Sequence, residues 1–156
     1  MPLATPTAAT LALTAQGVGG FVWDQEASRP AIEKLLGPAE RTTDLTSCGL
    51  PGVAWVVWGG LSVGFQGERL LAWTASRGAA IPSGVTLPAG PGLGDPLSAA
   101  AALPGAAEPW YDDVMNATSV IVTSTAGKGR LIYAAAGTGT SGPITSVAAP
   151  DSVECR

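Results

Sequence analysis

The chain resembles itself over a period of about 70 residues, and this internal similarity constrains the possible fold more than any other feature of the sequence. Each copy, at 11–40 and again at 87–108, combines a glycine-rich approach, an acidic residue, a helical run and an ending rich in Leu, Pro, Gly, Ala and Glu. Two alternating runs around a glycine-containing turn follow at 60–76 and at 119–137, a pattern typical of an antiparallel hairpin. Chance similarity in a chain rich in alanine and glycine is the alternative.

A short helix is expected ahead of each hairpin. The first has Asp24 as its N-cap and an apolar stripe over 32–36, and the second starts at Asp95 and Pro96. Helices of about 8–12 residues are not stable alone, so both must pack on a sheet. The sequence therefore predicts an α+β fold of two tandem repeats, each made of a short helix or helices followed by an antiparallel hairpin or small sheet.

The expected organisation has three parts. Residues 1–10, rich in Thr, Pro and Ala, are interpreted as a flexible leader. The first α+β repeat covers 11–80 and the second covers 84–156, and together they form one compact unit. The leader has neither the basic region nor the continuous apolar region of a signal peptide, so this chain is expected to lack one.

Charge and hydropathy exclude several classes of function. Of the 156 residues, 46% are hydrophobic and 13% are charged, a composition too apolar for a disordered chain. No apolar run reaches the roughly 20 residues that span a bilayer, so no transmembrane segment is expected. The net charge is −4 and the 8 Lys and Arg residues are scattered, so nucleic acid is not an expected partner.

One motif suggests catalysis, a G-x-S-x-G match centred on Ser62. The chain contains no histidine, so a Ser-His-Asp triad cannot form within it. Ser62 also lies in the middle of a predicted strand, whereas a nucleophile elbow lies between a strand and a helix. No catalytic residue, metal site or cofactor is therefore predicted. A hydrolase that acts through some of the 12 acidic residues is the alternative.

The two cysteines, Cys48 and Cys155, are separated by most of the chain and do not form a CxxC pattern. A disulfide between them would tie the first half to the end of the chain and contribute about 2–4 kcal/mol to stability. Such a pairing implies an oxidising compartment. Two unpaired buried thiols are the alternative.

Five short segments carry a family resemblance: 17–21, 36–38, 47–49, 58–65 with Trp73, and 144–147 with Cys155. Together they resemble an uncharacterised family of secreted or lipid-anchored bacterial proteins, over roughly residues 11–156. This resemblance implies an extracytoplasmic location, secreted or envelope-anchored. Ala149 and Pro150 replace a glycine of the family pattern. The duplicated arrangement also resembles the tandem fold of β-lactamase-inhibitor proteins and of small outer-membrane assembly lipoproteins, although a shared fold does not imply a shared function.

These observations predict a non-enzymatic extracytoplasmic binding domain that recognises a protein or a cell-envelope component. Five tryptophans in a chain without a catalytic motif favour a binding role, since aromatic residues supply contact area. The alternatives are a hydrolase that uses acidic residues and a purely structural envelope protein.

The hairpin pattern also predicts where a partner binds. With the turn at 67–68, Leu71 and Trp73 lie on the sheet face opposite to the one that packs on the helices. Trp110 and Tyr111, in a polar loop, are second candidate anchors. We therefore expect these four residues at the recognition surface. Packing of Trp73 as core between the two halves is the alternative.

Overall fold

The computed structural model describes residues 11–46, 51–123 and 129–149. This part of the chain is mostly β-structure, with twelve strands and two helices. The strands are β1 (Leu11–Thr14), β2 (Gly17–Val18), β3 (Phe21–Val22), β4 (Arg41–Asp44), β5 (Val53–Trp58), β6 (Leu61–Gln66), β7 (Arg69–Ser76), β8 (Val85–Thr86), β9 (Trp110–Asp112), β10 (Ala117–Thr123), β11 (Arg130–Ala136) and β12 (Ile144–Ala149). The helices are α1 (Ser28–Leu36) and α2 (Leu97–Ala101).

Eight of the strands form one antiparallel sheet, in the order β4-β5-β6-β7-β12-β11-β10-β9. Within it lie two meanders of four strands, β4 to β7 and β9 to β12, which join through their last strands. At the join, Ala75 pairs with Val147. A short helix precedes each meander in the chain. Neighbours in sequence thus pair in space within each meander, as is usual for short connections.

A smaller sheet, in the order β3-β2-β1-β8, packs against one face of the large sheet. Leu13 of β1 and Val18 of β2 are buried in the same core as residues of both meanders and both helices. The indole N–H of Trp73, from the large sheet, donates to the Thr14 carbonyl of the small sheet at 2.8 Å. The molecule therefore has two layers, with the large sheet as one and the small sheet and helices as the other.

The fold class predicted from the sequence is wrong. The described chain is a mostly β structure with two sheets, and it is not an α+β arrangement of tandem helix and hairpin repeats. The glycine-rich segment 11–22 forms three strands, because alternate residues of β1 point into the core. Asp24, the expected N-cap, has a φ of 63° and precedes α1, which begins at Ser28. α2 has only 5 residues and begins after Pro96.

Both predicted hairpins are present. β6 pairs with β7, with Gln66 opposite Arg69, and β10 pairs with β11 along its full length. Ser62 lies within β6, between Val57 and Thr74 on the neighbouring strands. The G-x-S-x-G motif is thus part of a strand in the middle of a sheet, and no helix follows it directly.

A β-bulge in β7 changes the register that follows the turn. β7 pairs with β6 at Leu70 and again at Ala72, so Leu71 has no partner on β6. One extra residue on a strand moves the side chains beyond it to the other face of the sheet. Trp73 therefore lies opposite Val63 on the core face, and the predicted placement of Trp73 on the opposite face is wrong.

The bulge is held by the segment that leads into α1. The Leu70 N–H donates to Ser28 Oγ at 3.0 Å, and the Leu70 carbonyl accepts from the Asp24 N–H at 2.8 Å. Ser28 is itself buried, and its hydroxyl donates to the Gln25 carbonyl. Both backbone polar groups of Leu70 are thereby satisfied, as buried backbone groups require.

Two predictions fall on residues outside the described ranges. The leader, 1–10, is one, and the disulfide between Cys48 and Cys155 is the other. Both stay predictions. Neither helix in the described part of the chain is long and apolar enough to cross a membrane.

Candidate recognition surface

The four residues predicted to bind a partner lie in two separate places. Leu71 and Trp73 are in β7, whereas Trp110 and Tyr111 are in β9. Four interstrand steps separate these strands in the large sheet, which corresponds to about 19 Å. The structure therefore does not bring the four residues together into one site.

Trp73 belongs to the core. Its exposed fraction is 0%, and its indole N–H is bonded to the small sheet through Thr14. A side chain that is fully buried cannot contact a partner, so Trp73 is not part of a recognition surface. Leu71, the bulge residue, is half-buried and offers only part of its side chain.

Trp110 and Tyr111 lie at the edge of the large sheet, in a cluster of exposed apolar side chains. Trp110 is 54% exposed and Tyr111 is 40% exposed. The turn after β9 adds Val114 at 89% and Met115 at 61%. We call these four residues the β9 patch. Large apolar side chains that are exposed together mark contact sites for other molecules.

The β9 patch wraps around the edge of the sheet. Successive residues of a strand point to opposite faces, so Trp110, beside Ser119, and Tyr111, beside Thr118, lie on opposite sides of β9. The other two members occupy the turn between β9 and β10. The two aromatic side chains of the patch therefore lie on opposite faces of the edge strand.

Hydrogen bonds fix the turn that carries Val114 and Met115. Asp112 Oδ1 accepts from the backbone N–H of Val114 at 2.9 Å and from that of Met115 at 3.2 Å. The Tyr111 hydroxyl donates to Asn116 Oδ1 at 2.8 Å. Asn116 has a φ of 50°, in the left-handed region that asparagine tolerates better than most residues. Because the turn is already ordered, less conformational entropy is lost when a partner binds.

The two edges of the large sheet differ in chemistry. β4 at one edge is exposed at every position and has Arg41 and Asp44 at its ends, and charged residues on an edge strand discourage pairing with another chain. β9 at the other edge is aromatic, but it has only 3 residues and follows Pro109, which has no N–H to donate. Contacts at this edge therefore come from side chains more than from an added strand.

Acidic side chains flank the β9 patch. Glu108 precedes it, and Asp112 and Asp113 lie between its aromatic and aliphatic members. No lysine or arginine occurs between Arg77 and Lys128. Electrostatic complementarity therefore favours a partner with basic residues around its binding site.

No protein-family model, curated protein or solved structure matches the chain. The resemblance to secreted or lipid-anchored bacterial proteins therefore stays a prediction. The β9 patch is the surface where exposure, residue type and local order coincide.

Two observations in the described part of the chain bear on its acidic groups. Among residues 11–46, 51–123 and 129–149, no three side chains of the Asp, Glu, His or Cys type are placed to hold a metal ion. The Thr46 hydroxyl, and then the Thr46 backbone N–H, hold the pKa of the Asp44 carboxyl below its ordinary value. A catalytic acid needs the opposite direction, a raised pKa.

Val114 and Met115 were not predicted from the sequence, although a signal for them exists. In the segment 112–116 an aspartate opens a turn and an asparagine closes it. Such residues favour turns, and a turn at a sheet edge leaves the residues between them in solvent.

Proposed function

We propose that the chain is a non-enzymatic extracytoplasmic binding domain that recognises a protein partner through the β9 patch. The observation that carries the proposal is the group of four exposed apolar side chains within 110–115, two on the edge strand β9 and two on the following turn, which hydrogen bonds fix. Tyr, Trp and Met are enriched at the centres of protein interfaces. Single exposed apolar residues need no explanation, but a contiguous group of large ones does.

The size of the patch defines its role in the interface. A few anchors supply most of the binding energy in such contacts, about 2 kcal/mol or more each. Trp110 suits this role because a tryptophan buries a large area while only two torsions are fixed. A standard interface covers about 800 Å² on each partner, which is more than four side chains provide. The β9 patch therefore forms the centre of the contact, and the acidic residues around it form the rim.

The partner has an apolar cleft bordered by lysine or arginine. The cleft is inferred from the placement of Trp110 and Tyr111 on opposite sides of the edge strand β9, since a partner must enclose that edge to contact both. The basic border follows from Glu108, Asp112 and Asp113. Contacts between rim charges accelerate association and weaken at high salt, so binding through this surface is faster at low ionic strength.

Site-specific photo-crosslinking in the native host tests the proposal. A benzophenone amino acid replaces Met115 in one version of the chain and Leu35 in another, because Leu35 on α1 is also exposed, at 50%. We expect a discrete crosslinked adduct from position 115 and none from position 35. Adding Trp110→Ala to the first version should reduce the adduct at least about fivefold, since an anchor is lost.

Two results would contradict the proposal. One is an adduct from position 35 as strong as that from position 115, which would indicate nonspecific labelling. The other is an adduct at position 115 that Trp110→Ala leaves unchanged. Adducts at neither position, in cells that contain the folded protein, would equally oppose a binding role for the β9 patch.

The extracytoplasmic part of the proposal is supported by the predicted disulfide between Cys48 and Cys155 and by the family resemblance. Intact mass before and after reduction, on protein purified from the host envelope, should differ by two hydrogens. The same mass before and after reduction, with two thiols that react with a maleimide after unfolding, would oppose an oxidising compartment.

A further inference from the structure

The methionine of the β9 patch is exposed to dissolved reagents. Met115 is 61% exposed, and no other methionine lies among residues 11–46, 51–123 and 129–149. Its backbone N–H donates to Asp112 Oδ1 at 3.2 Å, so the turn is fixed and the side chain stays at the surface. A thioether is soft and polarisable, and it reacts with oxidants that can reach it. The centre of the proposed contact therefore contains an oxidisable group.

Oxidation of this group by a peroxide is a balanced two-electron step. The Met115 sulfur shares a lone pair with one oxygen of hydrogen peroxide, so an S–O bond forms while the O–O bond breaks. The departing hydroxide takes the proton from the transferred oxygen and becomes water. The product is methionine sulfoxide, in which the sulfur is oxidised while the peroxide is reduced.

The sulfoxide changes the chemistry of the patch. A flexible apolar side chain becomes a polar one whose oxygen accepts hydrogen bonds. In an apolar cleft this oxygen loses its water, and burial of a polar group without a partner is unfavourable. The neighbouring Asp112 and Asp113 carboxylates only accept hydrogen bonds, so they cannot satisfy it. The other members of the patch contain no sulfur, so a mild peroxide acts on the patch at one position.

We propose that Met115 is a reversible oxidation site and that its sulfoxide weakens the contact made through the β9 patch. Methionine sulfoxide reductases, which remove the added oxygen, restore the contact. This inference rests on the function proposed for the patch and adds a means of regulating it. The expected weakening is at least about fivefold, since a polar group is buried without a partner.

Treatment of the purified full chain with hydrogen peroxide tests whether the sulfur is accessible. Peptide mass spectrometry follows the added oxygen at Met115, and separately at Met1, the other methionine in the sequence. We expect Met115 to react at a rate within about tenfold of that of N-acetylmethionine amide, a free thioether, because the side chain is exposed. A slower rate would show that the folded chain shields the sulfur, and it would overturn the assignment.

Photo-crosslinking with the oxidised chain tests the effect on binding. A benzophenone amino acid replaces Asp113, which borders the patch and is exposed. The purified chain is treated with peroxide, freed of it with catalase and added to an extract of untreated host cells, so the partner never meets the oxidant. We expect the adduct formed by the unoxidised chain to fall at least about fivefold after oxidation. Repair of the oxidised chain by methionine sulfoxide reductases should restore that adduct.

Met115→Leu is the matched control. It carries the same benzophenone, is treated identically and is compared only with its own untreated sample. Leucine has no sulfur, so peroxide should leave the adduct of this variant unchanged. Met1, both cysteines and all tryptophans are the same in the two versions, so oxidation of those residues cannot explain a difference between them. Met115→Gln, which places a polar amide at the same position, should reduce the adduct without peroxide.

Two crosslinking results would overturn the assignment alone. An adduct that persists with the sulfoxide form would show that oxidation of Met115 does not affect the contact. An equal loss from Met115→Leu would place the effect at another oxidised group. By contrast, the absence of any adduct from the untreated chain would contradict the function proposed for the β9 patch, and this inference with it.

Discussion

At the scale of single residues, the tryptophans have different roles that their residue type does not reveal. Trp23, Trp58 and Trp73 each donate the indole N–H to a backbone carbonyl of another segment, at 2.8–3.0 Å. Each of these three therefore connects two parts of the chain. Trp110, on the edge strand, is instead 54% exposed. The sequence suggested aromatic contact area, and it is Trp110 that has the exposure this requires.

Trp73 and Trp110 should respond oppositely to replacement by alanine. Trp73→Ala removes a fully buried ring and its hydrogen bond to Thr14, so the free energy of unfolding should fall by about 3–5 kcal/mol. Trp110→Ala should change it by less than about 0.5 kcal/mol, because the side chain is exposed. Urea unfolding followed by circular dichroism measures both. A large loss for Trp110→Ala would show that this residue is structural.

Two buried hydroxyl groups, one without a hydrogen-bond partner in the described part of the chain and one with a partner, allow a second prediction. Tyr133→Phe removes a hydroxyl without a partner among the described residues, so the protein should gain about 1 kcal/mol of stability. Thr118→Val removes a hydroxyl that donates to the Gly137 carbonyl at 2.7 Å, and it should cost about 1–2 kcal/mol. The free energies of unfolding of both variants test this. Destabilisation by Tyr133→Phe would reveal a partner for the phenol in the folded protein.

The raised pKa of Tyr133 also predicts a pH dependence. In the unfolded chain the phenol loses its proton near the ordinary value of about 10, while in the folded chain burial delays this loss. Above that pH the unfolded state therefore binds fewer protons than the folded state. The contribution of Tyr133 to the free energy of unfolding is thus fully present below about pH 10, and it is lost as pH rises through the folded pKa. Between about pH 9 and about pH 11 the unaltered chain should lose more stability than Tyr133→Phe. Parallel curves for the two proteins would refute this.

At the scale of elements, both hairpins could be predicted because alternation and a glycine turn are local signals. The bulge at Leu71 could not be predicted in this way. The groups that form hydrogen bonds with the neighbouring Leu70 come from Asp24 and Ser28, which are more distant in sequence than any hairpin partner. That single extra residue moved Trp73 into the core, away from the predicted recognition surface. Alternation of residue types predicts which side chains share a face of a strand. It does not reveal the position of a bulge, beyond which the side chains exchange faces.

The short strands explain the error in fold class. β2 and β3 have 2 residues each, too few for an alternating pattern to be recognised, and their segment was interpreted as a glycine-rich approach to the first helix. The length of the second helix was overestimated for a related reason. Pro96 and the alanines after it favour a helix locally, yet α2 ends after a single turn or so, at Ala101. The pairing of these segments depends on contacts far along the chain, which local composition does not reveal.

Substitution of Gly60, in the turn between β5 and β6, tests how closely this turn packs against the rest of the chain. A Cβ atom at Gly60 would lie 2.5 Å from the Ala79 carbonyl oxygen and 2.8 Å from that of Ser76, both backbone atoms. Gly60→Ala should therefore cost about 2 kcal/mol of stability. Gly20→Ala is the matched control, because no atom lies within 4 Å of its added Cβ, and it should be neutral within about 0.5 kcal/mol. Equal thermal midpoints for the two variants would contradict the close packing at this turn.

At the scale of the whole molecule, one continuous core includes residues from both meanders, both helices and the small sheet. The chain should therefore unfold as a single cooperative unit. In Trp110→Ala the remaining tryptophans, among them Trp58 and Trp73, all lie in the first half of the chain, so fluorescence reports on that half, while near-ultraviolet dichroism includes Tyr133 in the second meander. The two signals should change at the same urea concentration. Separate transitions would show that the meanders unfold independently.

The join between β7 and β12 has a consequence for synthesis in the cell. The strand that covers the edge of β7 is formed by 144–149, so the ribosome completes the whole first meander long before its neighbour emerges. During that interval the edge at 73–76 has unpaired backbone groups, and such edges recruit other strands. A chain cut or stalled before β12 is therefore expected to aggregate, and the nascent protein to depend on chaperones until its last strand is made.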